Sequence, residues 1–134
     1  MVNPVDGSVI ISLPPKPEFL GPLRSFVGSA AAQLRLSVDD IDDVRLAVDE
    51  AFSYLLDIAP SASGVVVSLL PTAQELIITA AIDAAVSPWP PAGVQETLSW
   101  KVMSGLVDRV ALERSAEGSP SIVIVKRTLD ATVA

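Results

Sequence analysis

Apolar residues are spaced along this chain in two rhythms. Val9, Ile10, Ile11 and Leu13 form a short, mostly β-branched run stopped by Pro14 and Pro15, which predicts a strand over residues 8–13. Phe19, Leu20, Leu23, Phe26, Val27, Ala30, Ala31 and Leu34 then recur at three- and four-residue intervals, the mark of an amphipathic helix of about four turns. Pro17 and Glu18 suit its first turn, and Gly21-Pro22 inside the pattern calls for a kink or a start near Phe19. Ser37 followed by Asp40 resembles a capping box, with aspartate in place of the usual glutamate. It opens a helix whose apolar stripe is Val38, Ile41, Val44, Val48, Ala51 and Leu55.

Past a loop over residues 59–64, the rhythm shortens. Residues 65–70 and 75–82 read as a hairpin around Pro71 and Thr72, and their nearly continuous apolar character predicts a central place in a sheet. Residues 83–96 show no period and are broken by Pro88, Pro90 and Pro91, so they form a long loop of the kind that is often functional. Leu98, Val102, Met103 and Leu106 predict a third helix over 97–107, and residues 109–114 and 121–128 a final hairpin. The order strand, helix, helix, strand, strand, loop, helix, strand, strand implies a two-layer α/β sandwich, a mostly antiparallel sheet covered on one face by about three helices. A doubly wound parallel sheet is disfavoured because strictly alternating βαβ units are missing.

Composition narrows the chemistry. The 134 residues are read as one domain, with a folded core over 8–128 and a tail, 129–134, expected to fray. Half the residues are hydrophobic and 19% are charged, which argues against intrinsic disorder. Cysteine and histidine are both missing, which removes disulfides, thiol nucleophiles, imidazole bases and the commonest transition-metal ligands, so no metal site is expected. A net charge of −7 speaks against direct binding to nucleic acid or an anionic membrane. No signal peptide or spanning segment is read, and a soluble, cytoplasmic domain is expected. The seven glycines are scattered, so no glycine-rich phosphate loop is present, and the single asparagine is Asn3. Asp39, Asp40, Asp42, Asp43, Asp49 and Glu50 crowd the second helix with only Arg45 among them. They are either a solvated face that also complements the helix dipole, or a surface for a partner.

Residues 13–24, the run from Asp40 through Asp49-Glu50 to Ala51, residues 103–110 and the closing run Ile122 to Arg127 together resemble the RsbW/SpoIIAB type of bacterial anti-sigma factor, and especially its actinobacterial, UsfX-like members. These are serine kinases of the GHKL ATPase superfamily, built on the Bergerat fold. The resemblance covers residues 11–127. It implies that Glu50 stands at the general-base position, yet the Mg²⁺-binding asparagine one turn later is replaced by Tyr54. The adenine-binding aspartate is matched only by Asp83 with a one-residue shift, which in a strand end points it to the opposite face. The second glycine box becomes Thr97-Leu98-Ser99-Trp100. Glu50, Tyr54, Asp83, Thr97 and Ser99 are thus the remnants of a nucleotide site, and Trp89 and Trp100 are expected to fill its space.

The part of the pattern that survives concerns protein binding. Arg24 matches a family arginine that meets both the sigma factor and its antagonist; it is otherwise a solvated arginine or the partner of an acid on the second helix. Asp39, Asp42 and Asp43 offer electrostatic attraction to a basic sigma-factor surface. The expected function is sequestration of an alternative RNA polymerase sigma factor without working kinase activity or cofactor, relieved by a STAS-domain anti-anti-sigma factor, with a homodimer implied by the family. The alternative is an active ATP- and Mg²⁺-dependent protein-serine kinase acting on that antagonist, with Glu50 as base. A third reading is a scaffold of the same fold unrelated to transcription.

Overall fold

A computed structural model describes residues 7–128. Asn3 and the tail 129–134 lie outside the described residues. The elements run β1 (Val9–Leu13), α1 (Leu20–Ala31), α2 (Val38–Ile58), β2 (Val65–Pro71), β3 (Glu75–Ile82), α3 (Leu98–Leu106), β4 (Arg109–Arg114) and β5 (Pro120–Arg127), with 3₁₀ turns at Pro17–Phe19 and Val94–Glu96. The five strands form one sheet in the order β1-β2-β3-β5-β4, and every neighbouring pair is antiparallel. β3 is central, as its apolar character predicts, and its burial alternates strictly from residue to residue.

That alternation places the helical layer. Leu13, Val65 and Ile82 pair across three strands, as do Val67, Ala80 and Ile122, and all six are buried. Leu23, Val27 and Ala31 of α1 and Val44, Ala47, Val48, Ala51, Phe52 and Leu55 of α2 join them in one core, with Met103 from α3. Each large side chain there contributes about 1.5–3 kcal/mol by leaving water. The three helices cover one face of the sheet, so the chain is a two-layer α/β sandwich.

One helix boundary and one stripe position differ from the sequence reading. α1 ends at Ala31, short of Leu34, because the chain closes there in tight turns: Gln33 N–H donates to Ala30 and Leu34 N–H to Ala31. Leu34 and Leu36 still reach the core, but from the connection to α2. Val38, expected in the apolar stripe, is 75% exposed. It lies six residues before Val44, which at about 100° per residue turns it roughly 120° away from the buried face. Ser37 caps α2 as expected, its hydroxyl accepting from Asp40 N–H at 3.0 Å. Pro22 is accommodated without a break in α1 because it falls in the first turn, where helix N–H groups have no intrahelical partner.

Candidate functional site

The positions singled out from the sequence fall on two parts of the helical layer and one edge of the sheet. Glu50 on α2 faces α3: the Ser99 hydroxyl donates to its carboxylate at 2.9 Å. Thr97 caps α3, accepting from Trp100 N–H at 3.2 Å and donating to the Val94 carbonyl at 2.6 Å. The first turn of α3 is therefore closed by its own side chains. Tyr54, one turn after Glu50, packs against the core, and burial pushes its phenol above the ordinary value near 10. Asp83 lies elsewhere. It follows Ile82, which faces the helices, so it turns to the other side of the sheet, where it accepts from the Ser63 hydroxyl at 2.6 Å and lines an open groove.

These residues do not fit a magnesium nucleotide. Glu50 and Ser99 are occupied with one another, Tyr54 offers a neutral phenol and no carboxamide, and the thickness of the sheet separates Asp83 from Glu50. Among the described residues no group of three or more acidic side chains is placed to hold a metal ion. The indole N–H of Trp89 donates to the Glu113 carbonyl at 2.7 Å and its ring packs on the core, while Arg114 donates to the Val86 carbonyl at 3.3 Å. The long loop is thus pinned to β4. Trp100 is half-buried in the first turn of α3.

The outer face of α1 and α2 gathers different groups. Arg24 reaches across to Asp49, with Nη2 at 2.7 Å and Nε at 2.8 Å from the same carboxylate oxygen, Oδ2. Oδ1 of Asp49 is left buried with no partner. Arg45 lies over Gly28, where a Cβ would come within 3.2 Å of its side chain, and its Nε is also buried and unpartnered. Its guanidinium meets Asp42 at 3.4 Å, a weak exposed pair one turn apart. Leu46 projects between these charges and is 53% exposed. Two shallow grooves meet at Leu46 and Asp49. One, of about 580 Å³, runs between Leu20 of α1 and Val102, Gly105 and Leu106 of α3; the other, of about 250 Å³, is bounded by Arg24 and Arg45.

The remaining acids divide. Asp43 is engaged, together with Asp40, by Lys126 of β5 at 3.6 and 3.5 Å, and Lys126 also donates to the Leu106 carbonyl at 2.8 Å. Asp39 is exposed and has no ion pair among the described residues. Sequence reasoning passed over Leu46 and Lys126, and named Asp49 only as one of the acids of α2. Lys126 carried a usable signal: it shares strand parity with the core residues Ile122 and Ile124, and a lone charge on that face requires a buried partner. No helix among the described residues is long and apolar enough to cross a membrane. No family model matches the sequence, and no curated protein matches it.

Proposed function

We propose that this chain is a protein-binding regulator of the anti-sigma type, a degenerate Bergerat-fold domain that holds an alternative sigma factor through the outer face of its helical layer and performs no phosphoryl transfer. The observation that carries the reading is that face itself: an exposed leucine, Leu46, set between the Arg24–Asp49 pair and the Arg45–Asp42 pair, with grooves on either side. Interfaces are commonly built this way, an apolar centre within a charged rim. Asp49 occupies Nε and Nη2 of Arg24 and fixes the guanidinium, so an incoming carboxylate meets an oriented arginine and takes the same fork bidentately by displacing Asp49. Asp39 and Asp42 add negative potential that steers a basic partner and makes its capture sensitive to salt. Asp43 is left out of this surface, since Lys126 already neutralises it.

What supports the absence of kinase chemistry is the Ser99–Glu50 hydrogen bond together with Tyr54. A base committed to a neighbouring hydroxyl, with no carboxamide one turn on, lacks the positioning and charge neutralisation on which phosphoryl transfer depends. The antagonist, a STAS-domain protein, would release the sigma factor by competing for Arg24.

Two measurements test this. Titration calorimetry with Mg-ATP is expected to give no binding heat, and labelled ATP no transfer to the antagonist. Co-purification with the sigma factor is expected to weaken about tenfold or more in Arg24→Ala, as for an interfacial arginine anchor, and progressively with added salt. Binding indifferent to both changes sinks the assignment of this surface.

A further inference from the structure

Displacing Asp49 from Arg24 carries a cost that its neighbours can set. The Asp49 side chain is 13% exposed, so a carboxylate pushed off its arginine there is left charged and sheltered from water. Stranding one member of a sheltered pair is strongly unfavourable. Two atoms at this place are already without partners among the described residues, and they are complementary: Asp49 Oδ1 is a buried acceptor and Arg45 Nε a buried donor. Unpaired buried polar atoms are rare in folded proteins, and two of opposite kind on one groove call for a common cause. Asp49 follows Arg45 by one helical turn, which sets their Cβ atoms about 5–6 Å apart. Side chains on a helix tilt towards its N-terminus, so the Asp49 carboxylate leans towards Arg45. Both line the groove of about 250 Å³ that Arg24, Asp42 and Leu46 also bound. The guanidinium of Arg45 is only partly used: Nη1 meets Asp42 at 3.4 Å, while Nε, on the other edge, bonds nothing. That edge is the one by which Arg24 holds Asp49. Gly28 admits the stem of Arg45 close against α1, since a Cβ there would meet Cδ at 3.2 Å and Nε at 3.4 Å.

We propose that Arg45 is the second seat of Asp49: when a partner's carboxylate takes the fork of Arg24, the Asp49 side chain turns and its Oδ1 passes to Arg45 Nε. Two ion pairs then stand where one stood, partner with Arg24 and Asp49 with Arg45, and no buried charge is stranded. Arg45 keeps Asp42 through Nη1 throughout, because the two acids use different edges of its guanidinium. Without Arg45, a displaced Asp49 has no counter-ion within a helical turn and competes with the partner for Arg24. Arg45 is therefore a positioning residue, which sets the affinity of the surface through Asp49 and Arg24. Gly28 serves the same exchange, since it lets Nε lie against α1, beside Asp49, instead of out in solvent. The role in binding rests on the function proposed above, with Arg24 as the anchor; the exchange itself is a property of the chain alone.

Arg24→Ala reproduces the engaged state without a partner, because it takes the fork away from Asp49. In crystals of that variant Arg45 Nε is expected at a hydrogen-bonding distance of about 2.7–3.2 Å from Asp49 Oδ1. In solution its ¹⁵Nε–¹Hε signal is expected to move downfield from its place in the unaltered protein, as it gains a carboxylate acceptor. Combining Arg24→Ala with Arg45→Met strands Asp49, and should raise the unfolding constant in urea at least about tenfold beyond the product of the two single changes. On an Asp49→Asn background, which has no charge to strand, the same two changes should multiply to within about twofold. Against the co-purified sigma factor, Arg45→Met should weaken binding about tenfold, and by less than about twofold when Asp49→Asn is also present. An Arg45 Nε still unbonded in Arg24→Ala, or single changes that only multiply, overturns the exchange. Binding lost in Arg24→Ala but unchanged in Arg45→Met overturns the positioning role. An exchange seen in the chain alone, with sigma-factor binding indifferent to Arg24→Ala, overturns the function proposed above and the role of Arg45 in it, and leaves the exchange standing.

Discussion

Near the start of α2, Asp40 and Asp43 close on Lys126, whose side chain is 13% exposed and whose ammonium is also bonded to the last carbonyl of α3. Further along the same helix Asp49 holds Arg24, which is 44% exposed, and the pair leaves one carboxylate oxygen and the neighbouring Arg45 Nε buried without partners. The first group ties a strand and two helices together with its hydrogen-bonding capacity well used. The second ties α1 to α2 while leaving polar capacity unspent beside an exposed leucine. Removing one member of a sheltered, well-bonded cluster strands the rest, whereas a pair whose arginine is half exposed is partly screened and contributes less to stability. The difference separates charge that holds the fold from charge available for recognition.

The largest effect expected from breaking this contrast is at Lys126. Lys126→Met keeps the apolar stem but leaves two aspartates and a carbonyl facing it unpaired, and should lower stability by about 2–3 kcal/mol. Urea unfolding would show this as a lower midpoint at unchanged slope. Arg24→Ala should cost less by the same measurement, about 1–2 kcal/mol, because Arg24 is 44% exposed and water reaches the space it vacates, although Asp49, 13% exposed, loses its partner. Under the function proposed above its main effect is on partner binding; equal losses at Arg24 and Lys126 would erase the distinction. Ser99→Ala should cost about 0.5–1 kcal/mol through the bond to Glu50. Ser99→Thr, which retains the hydroxyl, should recover part of it.

The smallest effect lies at alkaline pH. Tyr54 has a raised pKa because burial disfavours the phenolate. Its stability contribution is complete below the unfolded value near 10 and is lost as pH rises towards the folded value, since in that window the unfolded chain has released a proton that the folded chain keeps. Tyr54→Phe should flatten this alkaline decline. Tyr54 is the chain's one tyrosine, so tyrosinate absorbance follows the group directly; a titration midpoint at or below the ordinary value contradicts the burial.

The elements were legible because the apolar period changes sharply between helix and strand, and Ser37 announced the start of α2 as a cap must. The end of α1 was not, since Leu34 continues the helical spacing while serving the core from a turn. The site was legible only in part. The identities of Tyr54 and Thr97–Ser99 were plain, and the turning away of Asp83 followed from strand parity. That Arg24 would choose Asp49 from the seven acids on α2 was hidden, because the choice depends on how α1 crosses α2, which no local pattern encodes. The close seat of Arg45 on Gly28 is of the same kind.

The Lys126 bond has one more consequence, for α3. A helix of nine residues does not persist by itself in water, so it depends on what its ends are fastened to. Its far end is held by an ammonium, its near end by a serine hydroxyl and a threonine cap. Backbone amide exchange should therefore speed up at the near end in Ser99→Ala and at the far end in Lys126→Met, each change loosening only the end it unfastens.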